Sequence, residues 1–290
     1  MIKNKIEYYL LILISGLFNL LGLRKSRKLA KYLARFFFLF IPIRKSTILG
    51  NLKKAFPDWN EKQIKKTALK NYESLLITLV EILVIPNHSA QDFLESVYCD
   101  NFEIIENEFK KNKGLILLTG HFGNWELSVL WISKQIARPI NVLAKPQRNS
   151  YVTELLNKNR AAFGNKIVLV GNGVKELLKC LMNNDVVGIA GDQRGPIESK
   201  RVKLLGQETA VFSGTAVMAI KTDAPIIFML MCRQPDYRYK LILEKIEIPL
   251  GNETNEDKIY QINQIYMKKL EKYIRQYPEQ WFWMHKIWKY

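Results

Sequence analysis

The most apolar part of the chain comes first. From Tyr8 to Leu23 sixteen successive residues are uncharged and mostly apolar, with Lys3 and Lys5 before them and Arg24, Lys25, Arg27 and Lys28 after. As a helix this run covers roughly 24 Å, somewhat short of a ~30 Å hydrocarbon core. A second run, Tyr32 to Ile43, is shorter and carries Arg35. The pattern predicts one marginal transmembrane or deeply inserted helix followed by an interfacial helix. Residues 1–45 are thus read as a membrane anchor and 46–290 as a globular domain. A cleaved signal peptide fits less well, because no small-x-small site follows and the strongest basic cluster lies after the apolar run. A basic cluster in that position stays on the cytoplasmic side.

Beyond the anchor the hydrophobic period changes repeatedly. Asn60 with Gln63 three residues on makes a capping box. Ile64, Ala68, Tyr72, Leu75, Leu79 and Leu83 then recur at helical spacing, and the helix is expected to end near Pro86. Short apolar runs follow at Gly114–Leu118, Ile140–Leu143, Ile167–Val170, Val186–Ala190, Pro225–Cys232 and Tyr239–Ile248. Helical patterns at Tyr151–Phe163, Val174–Met182, Thr215–Thr222 and Asp257–Gln276 are interleaved with them. Alternation of this kind predicts an α/β fold, a central mixed sheet flanked by helices, behind the N-terminal hydrophobic anchor helix.

Charge narrows the partners. The 290 residues hold 44 Lys and Arg against 27 Asp and Glu, a formal charge of +17. Residues 1–56 carry twelve of the bases and a single acid, Glu7, in the same stretch that is most apolar. Basic residues flanking apolar runs suit an anionic membrane surface. No zinc-finger spacing or aromatic RNA-binding signature is present, which argues against nucleic acid. The three cysteines, Cys99, Cys180 and Cys232, and the three histidines show no metal or redox spacing, so neither metal nor cofactor is expected.

The chemically informative stretch is Leu117-Leu118-Thr119-Gly120-His121-Phe122-Gly123-Asn124-Trp125-Glu126. A strand is expected to end there, a glycine-bracketed turn to carry His121, and a helix to begin. On a continuous helix, residues five apart lie about 140° apart and would not meet. With His121 in the turn and Glu126 in the first helical turn they can. The imidazole would then take a proton from an attacking hydroxyl while the carboxylate holds its other nitrogen, and the helix N-terminus would face the oxyanion. The same residues also fit a capping glutamate and a hydrogen-bonded core histidine.

Four blocks of the sequence resemble the late acyltransferases of lipid A biosynthesis, the lauroyl and myristoyl transferases. The segment from His121 to Glu126 looks like that family's His-x4-acid motif. Asn51-Leu52-Lys53-Lys54-Ala55-Phe56-Pro57 resembles its N-terminal Asn/Phe-Pro segment, and Gly191-Asp192-Gln193-Arg194-Gly195-Pro196 its Asp-Gln block. Pro278-Glu279-Gln280-Trp281-Phe282-Trp283-Met284-His285 resembles its C-terminal signature. The resemblance implies a cytoplasm-facing enzyme of the inner membrane that moves an acyl chain from acyl carrier protein onto a hydroxyl of a phosphorylated glycolipid, a lipid A precursor. His121 and Glu126 are then the catalytic pair. Asn124, Lys145, Arg148, Arg160, Asp192 and Arg194 are the substrate-binding candidates. Lys145-Pro146 departs from the family's usual Arg-Pro and lacks the bidentate fork, with Arg148 close enough to stand in for it. Trp281, Trp283, Trp288 and His285 read as structural, and His88 has no evident role. Three other functions fit the same residues: a related acyltransferase with another acceptor (a phosphatidylinositol mannoside or an amino-acid lipid), a membrane-bound esterase, and a non-catalytic lipid-binding protein. No Gly-x-Ser-x-Gly elbow is present for a serine hydrolase.

Overall fold

The apolar runs after residue 114 become adjacent strands of one sheet, and the amphipathic stretches between them become its covering helices. The computed structural model describes residues 2–84, 90–161, 164–171, 173–249, 251 and 253–289. His88, the helix end expected near Pro86, and the last two residues of the helix expected to reach Phe163 lie outside them.

The amino-terminal region is helical: α1 (Ile2–Phe40), α2 (Lys45–Ala55), α3 (Glu61–Val84) and the short α4 (Ala90–Glu95). Then come β1 (Val97–Tyr98), α5 (Glu103–Phe109), β2 (Leu115–Gly123), α6 (Trp125–Gln135), β3 (Ile140–Ala144) and α7 (Ser150–Ala161). β4 (Lys166–Leu169), α8 (Gly173–Met182) and β5 (Val186–Ala190) complete the helix-crossed half. A hairpin, β6 (Arg201–Leu204) and β7 (Gln207–Ala210), precedes α9 (Gly214–Thr222), β8 (Ile226–Arg233), β9 (Tyr239–Ile246) and α10 (Asn255–Gln276).

Seven strands form the sheet in the order β1-β9-β8-β2-β5-β3-β4. β8, β2, β5, β3 and β4 run parallel, and β9 pairs antiparallel with β8, so the sheet is mixed. Burial on both faces explains why the central strands are continuously apolar rather than alternating. Every residue of β8 is buried, and Leu115 to Leu118 of β2 are at most 3% exposed.

α1 is long and apolar enough to cross a membrane. It kinks at Gly22 (φ 71°, ψ 163°), at the end of the first apolar run. Leu10, Leu13, Leu17 and Leu20 are exposed before the kink. After it, Ala30, Ala34 and Phe38 are buried, and this half of the helix packs along α3. The second run thus packs one side on α3, while Tyr32, Phe36, Leu39 and Phe40 stay exposed on the other.

α3 begins at the expected capping box: the Asn60 side chain accepts from Gln63 N–H (3.0 Å) while Gln63 accepts from Asn60 N–H (2.8 Å). Its polar positions reach two distant segments. Asn71 donates to the carbonyls of Glu279 (2.9 Å) and Trp281 (2.6 Å), and Thr78 donates to the carbonyl of Gly123 (2.8 Å). Asn51 of α2 likewise donates to the carbonyls of Trp283 (2.9 Å) and His285 (2.8 Å). The helical layer thus spans the sheet's carboxyl edge and ties down the C-terminal segment.

Candidate active site

The carboxyl ends of parallel strands are where α/β sheets place ligand sites, because helices and loops diverge there. In this chain β2 does not stop at Leu118. It continues to Gly123 with an irregularity after Thr119, so His121 sits on the distorted end of a strand and not in a free turn. Gly123 is required for the distortion: its φ is +56°, and a Cβ there would stand 1.9 Å from the Met231 carbonyl oxygen.

Register decides which acid meets His121. Thr119 of β2 pairs with Ala190 of β5. Two residues further along each strand lie His121 and Asp192, which therefore come together. Asp192 Oδ1 lies 2.6 Å from His121 Nδ1, and Oδ2 accepts from the His121 backbone N–H (2.8 Å) and from Trp281 Nε1 (2.8 Å). The carboxylate expected on the ring was that of Glu126, and this must be corrected: the partner of Nδ1 is Asp192. With Nδ1 donating to a carboxylate, Nε2 is the basic nitrogen, and the Gln193 side-chain amide approaches it at 3.3 Å. His121 retains 20% side-chain exposure, while Asp192 has 3%.

The electrostatics of this pair are mutual. Burial works against the imidazolium, but the Asp192 charge and hydrogen bond, with a smaller contribution from Glu126, outweigh it and raise the His121 pKa. Burial also works against the Asp192 carboxylate, and His121, Trp281 and the backbone N–H outweigh it to lower that pKa.

Glu126 stands in the first turn of α6 and is held by Arg160 of α7, whose Nε and Nη2 donate to it at 2.8 and 2.5 Å. Such a fork-to-fork pair fixes both groups in one geometry. Arg160, a substrate-binding candidate from sequence, lines the same cleft as His121, but its fork is engaged by Glu126. His121, Trp125, Glu126, Lys145, Arg160 and Gln193 line a cleft of about 210 Å³, with an apolar floor of Val129, Val142 and Leu143.

The other candidates divide. Lys145 is exposed at the end of β3 and lines the cleft. Arg148 is exposed outside it and pairs with Glu7 of α1 (3.3 Å). Asn124 is fully buried: it caps α6 by accepting from Leu127 N–H (3.3 Å) and donates to Glu81 (2.8 Å), so it does not reach the cleft. Arg194 leans toward the C-terminal segment, its backbone N–H meeting His285 Nε2 (3.1 Å) and its Nη1 the Lys286 carbonyl (2.8 Å). Trp283 is wholly buried and donates to the Pro278 carbonyl (2.6 Å), and Trp288 donates to Thr209 (2.9 Å). Trp281, read from sequence as a packing residue, also fixes Asp192. Tyr266 and Gln193 were not singled out by sequence. The Tyr266 hydroxyl donates to the Thr119 carbonyl (2.8 Å) at the point where β2 distorts.

Fold and cleft together define an α/β protein with a histidine–carboxylate pair over an apolar-floored pocket at the carboxyl ends of its parallel strands. The chain belongs to the bacterial lipid A biosynthesis acyltransferase family, whose sequence pattern matches residues 2–290. It is 27% identical over 256 residues to the lipid A biosynthesis lauroyltransferase of Escherichia coli (strain K12), covering 86% of this chain and 80% of that protein. It is 26% identical over 258 residues to the lipid A biosynthesis palmitoleoyltransferase of the same organism, with the same coverage. A lipid A biosynthesis acyltransferase of Shigella flexneri matches equally, at 26% over 258 residues. Family membership supports an enzyme that transfers acyl groups onto lipid A.

Proposed function

We propose that the protein transfers a fatty-acyl group from the thioester of acyl carrier protein to a hydroxyl of a phosphorylated lipid A precursor, with His121 as the general base. The observation that carries this reading is the clamped imidazole, its Nδ1 on Asp192 and its Nε2 toward a cleft with an apolar floor. The acceptor hydroxyl gives its proton to Nε2 as its oxygen attacks the thioester carbonyl. The tetrahedral intermediate then collapses, the C–S bond breaks, and the imidazolium returns the proton to the departing thiolate. Asp192 stabilises the imidazolium and fixes its tautomer without itself being protonated. Glu126, held by Arg160, adds a second negative charge beside the ring. The acceptor supplies the nucleophile, so no serine or cysteine is needed. Lys145 at the mouth of the cleft suits an anionic substrate.

A membrane setting accords with this reading. Leu169, Val170, Val174, Ile197 and Phe212 are all exposed; Leu169 ends β4, and Val170, Val174 and Ile197 lie on segments that leave the carboxyl ends of β4 and β5. Phe212 follows Val211, which bridges to Arg194 beyond β5. The cleft would open toward the inner-membrane surface on its cytoplasmic side, with α1 as the anchor. Mass spectrometry of lipid A from cells with and without the protein tests the reaction and its acceptor together. A gain of one acyl mass is expected, and unchanged lipid A would sink the reading.

A further inference from the structure

Behind the cleft lies a buried polar cluster that the reaction does not touch. Glu81 of α3 is 0% exposed and receives charge from two sides. Arg27 Nε of α1 donates to its Oε1 at 2.7 Å, and Arg233 Nη2 of β8 donates to its Oε2 at 3.1 Å. The Tyr239 hydroxyl and Asn124 Nδ2 (2.8 Å) also donate to Oε2. Burial works against the Glu81 carboxylate, but Arg233 and Arg27 outweigh it and keep its pKa low, so it is a full charge in the interior. Ion clusters of this kind add little net stability, because desolvation offsets their attraction. They do fix geometry, since few arrangements satisfy every partner.

The geometry fixed here is that of the active turn. Asn124, which Glu81 holds, caps α6, and the next two residues are Trp125 and Glu126. The Trp125 ring centroid lies 5.1 Å from that of His121, and Glu126 is the partner of Arg160. A parallel path reaches the same turn: Arg233 Nη2 donates to Thr78 Oγ1 (2.7 Å), which donates to the carbonyl of Gly123 (2.8 Å). Arg27 is the member of the cluster that comes from the amino-terminal helix. It lies just past the Gly22 kink, beside Ser26, whose hydroxyl donates back across the kink to the Phe18 carbonyl (2.8 Å).

We infer that Arg27 is a positioning residue for the transfer reaction: through Glu81 and Asn124 it holds the first turn of α6, and with it Trp125 and Glu126, against His121. The amino-terminal helix is then part of the catalytic scaffold as well as a candidate anchor. This rests on the reading of His121 as the base in acyl transfer.

The test uses the full-length protein in detergent or reconstituted vesicles. Arg27→Met keeps a long side chain and removes the charge. Misplacing a catalytic constellation by about an ångström costs on the order of a hundredfold. The turnover per folded molecule should therefore fall roughly tenfold to a hundredfold, with KM for acyl donor and lipid acceptor little changed. Arg27→Lys, which returns the charge, should recover part of the loss. If Arg27→Met does not fold, Arg27→Gln keeps a donor for Glu81 without the charge and should lower kcat in the same sense, again at constant KM. A normal kcat with a lowered Tm, in whichever variant folds, overturns the inference and leaves the cluster a purely structural one. A wild-type protein that transfers no acyl group sinks the underlying reading as well, and the two failures are told apart by that control.

Discussion

Asp192 holds His121 twice, through the backbone N–H (2.8 Å) and through the ring Nδ1 (2.6 Å). The double hold matters because one carboxylate sets both where the strand end lies and which tautomer the ring adopts. Asp192→Asn presents an amide of similar size, but its NH2 group cannot accept from Nδ1–H or from the backbone. We expect kcat to fall by about 10²–10⁴-fold, the range typical of general-base loss, with KM changed far less. His121→Ala should fall in the same range. Purified, folded His121→Ala with near-normal turnover would remove the mechanism.

The pH behaviour follows from the directions of the two shifts. The His121 pKa is raised above its ordinary value near 6.5, so the neutral base is populated at a higher pH than for a free imidazole. The acid limb of kcat/KM should lie above that value and move down in Asp192→Asn. For stability, a raised histidine contributes fully below its unfolded pKa and loses that contribution as pH climbs through the folded one. The lowered Asp192 contributes above its unfolded pKa and loses it as pH falls through the folded one. The pair should thus stabilise the fold most between the two unfolded values, roughly pH 4 to 6.5. Thermal melts of wild type and Asp192→Asn carried from well below this range to well above it check it: the gap in Tm should be widest inside the range and close on both sides, and a gap that is the same at every pH would count against the coupling.

Much of this was legible in sequence. The period-2 and continuous apolar runs located β3, β4, β5, β8 and β9 to within a few residues, because buried strands admit little but apolar side chains. The capping box at Asn60 located the start of α3. The β6–β7 hairpin was not seen: its turn is Leu205-Gly206, both with positive φ, and leucine is no signal for such a turn. The partner of His121 was missed for a different reason. Five residues of local spacing suggested Glu126, whereas the contact with Asp192 is set by the register of two strands 71 residues apart. Local pattern carries no information about register across a parallel pair. The Arg27–Glu81–Arg233 cluster was equally hidden, since its members come from α1, α3 and β8.

Membrane attachment gives a further expectation. Leu10, Leu13, Leu17 and Leu20 of α1, before Gly22, are exposed, while Ala30, Ala34 and Phe38 after it are buried. Fractionation should find the wild-type protein on the membrane, with its catalytic part reached by protease from the cytoplasmic side. Deleting residues 2–40 should yield unstable or aggregated protein rather than a soluble enzyme, because it strips the cover from α3 and removes Arg27 from Glu81. A well-folded, soluble deletion product with a normal Tm would contradict this.

The last expectation concerns Arg160 and Glu126. As a substrate-binding residue, which the resemblance implies, Arg160 would contact an anionic group of substrate, and its loss would raise KM by roughly ten- to a hundredfold. In the structure its Nε and Nη2 are both spent on Glu126, and Nη1 is near Asn157 at 3.3 Å. Both side chains are under 20% exposed, so breaking the pair leaves a poorly solvated charge beside the imidazole. Arg160→Gln should therefore lower kcat rather than raise KM, and Glu126→Gln should do the same. Because the two act as one unit, the double variant should be little worse than either alone, with a coupling energy of about 0.5–3 kcal/mol in the double-mutant cycle. A tenfold rise in KM for the lipid acceptor at constant kcat, confined to Arg160→Gln, would return the residue to substrate binding. Additive losses would show that Glu126 reaches the reacting atoms independently of the arginine that holds it.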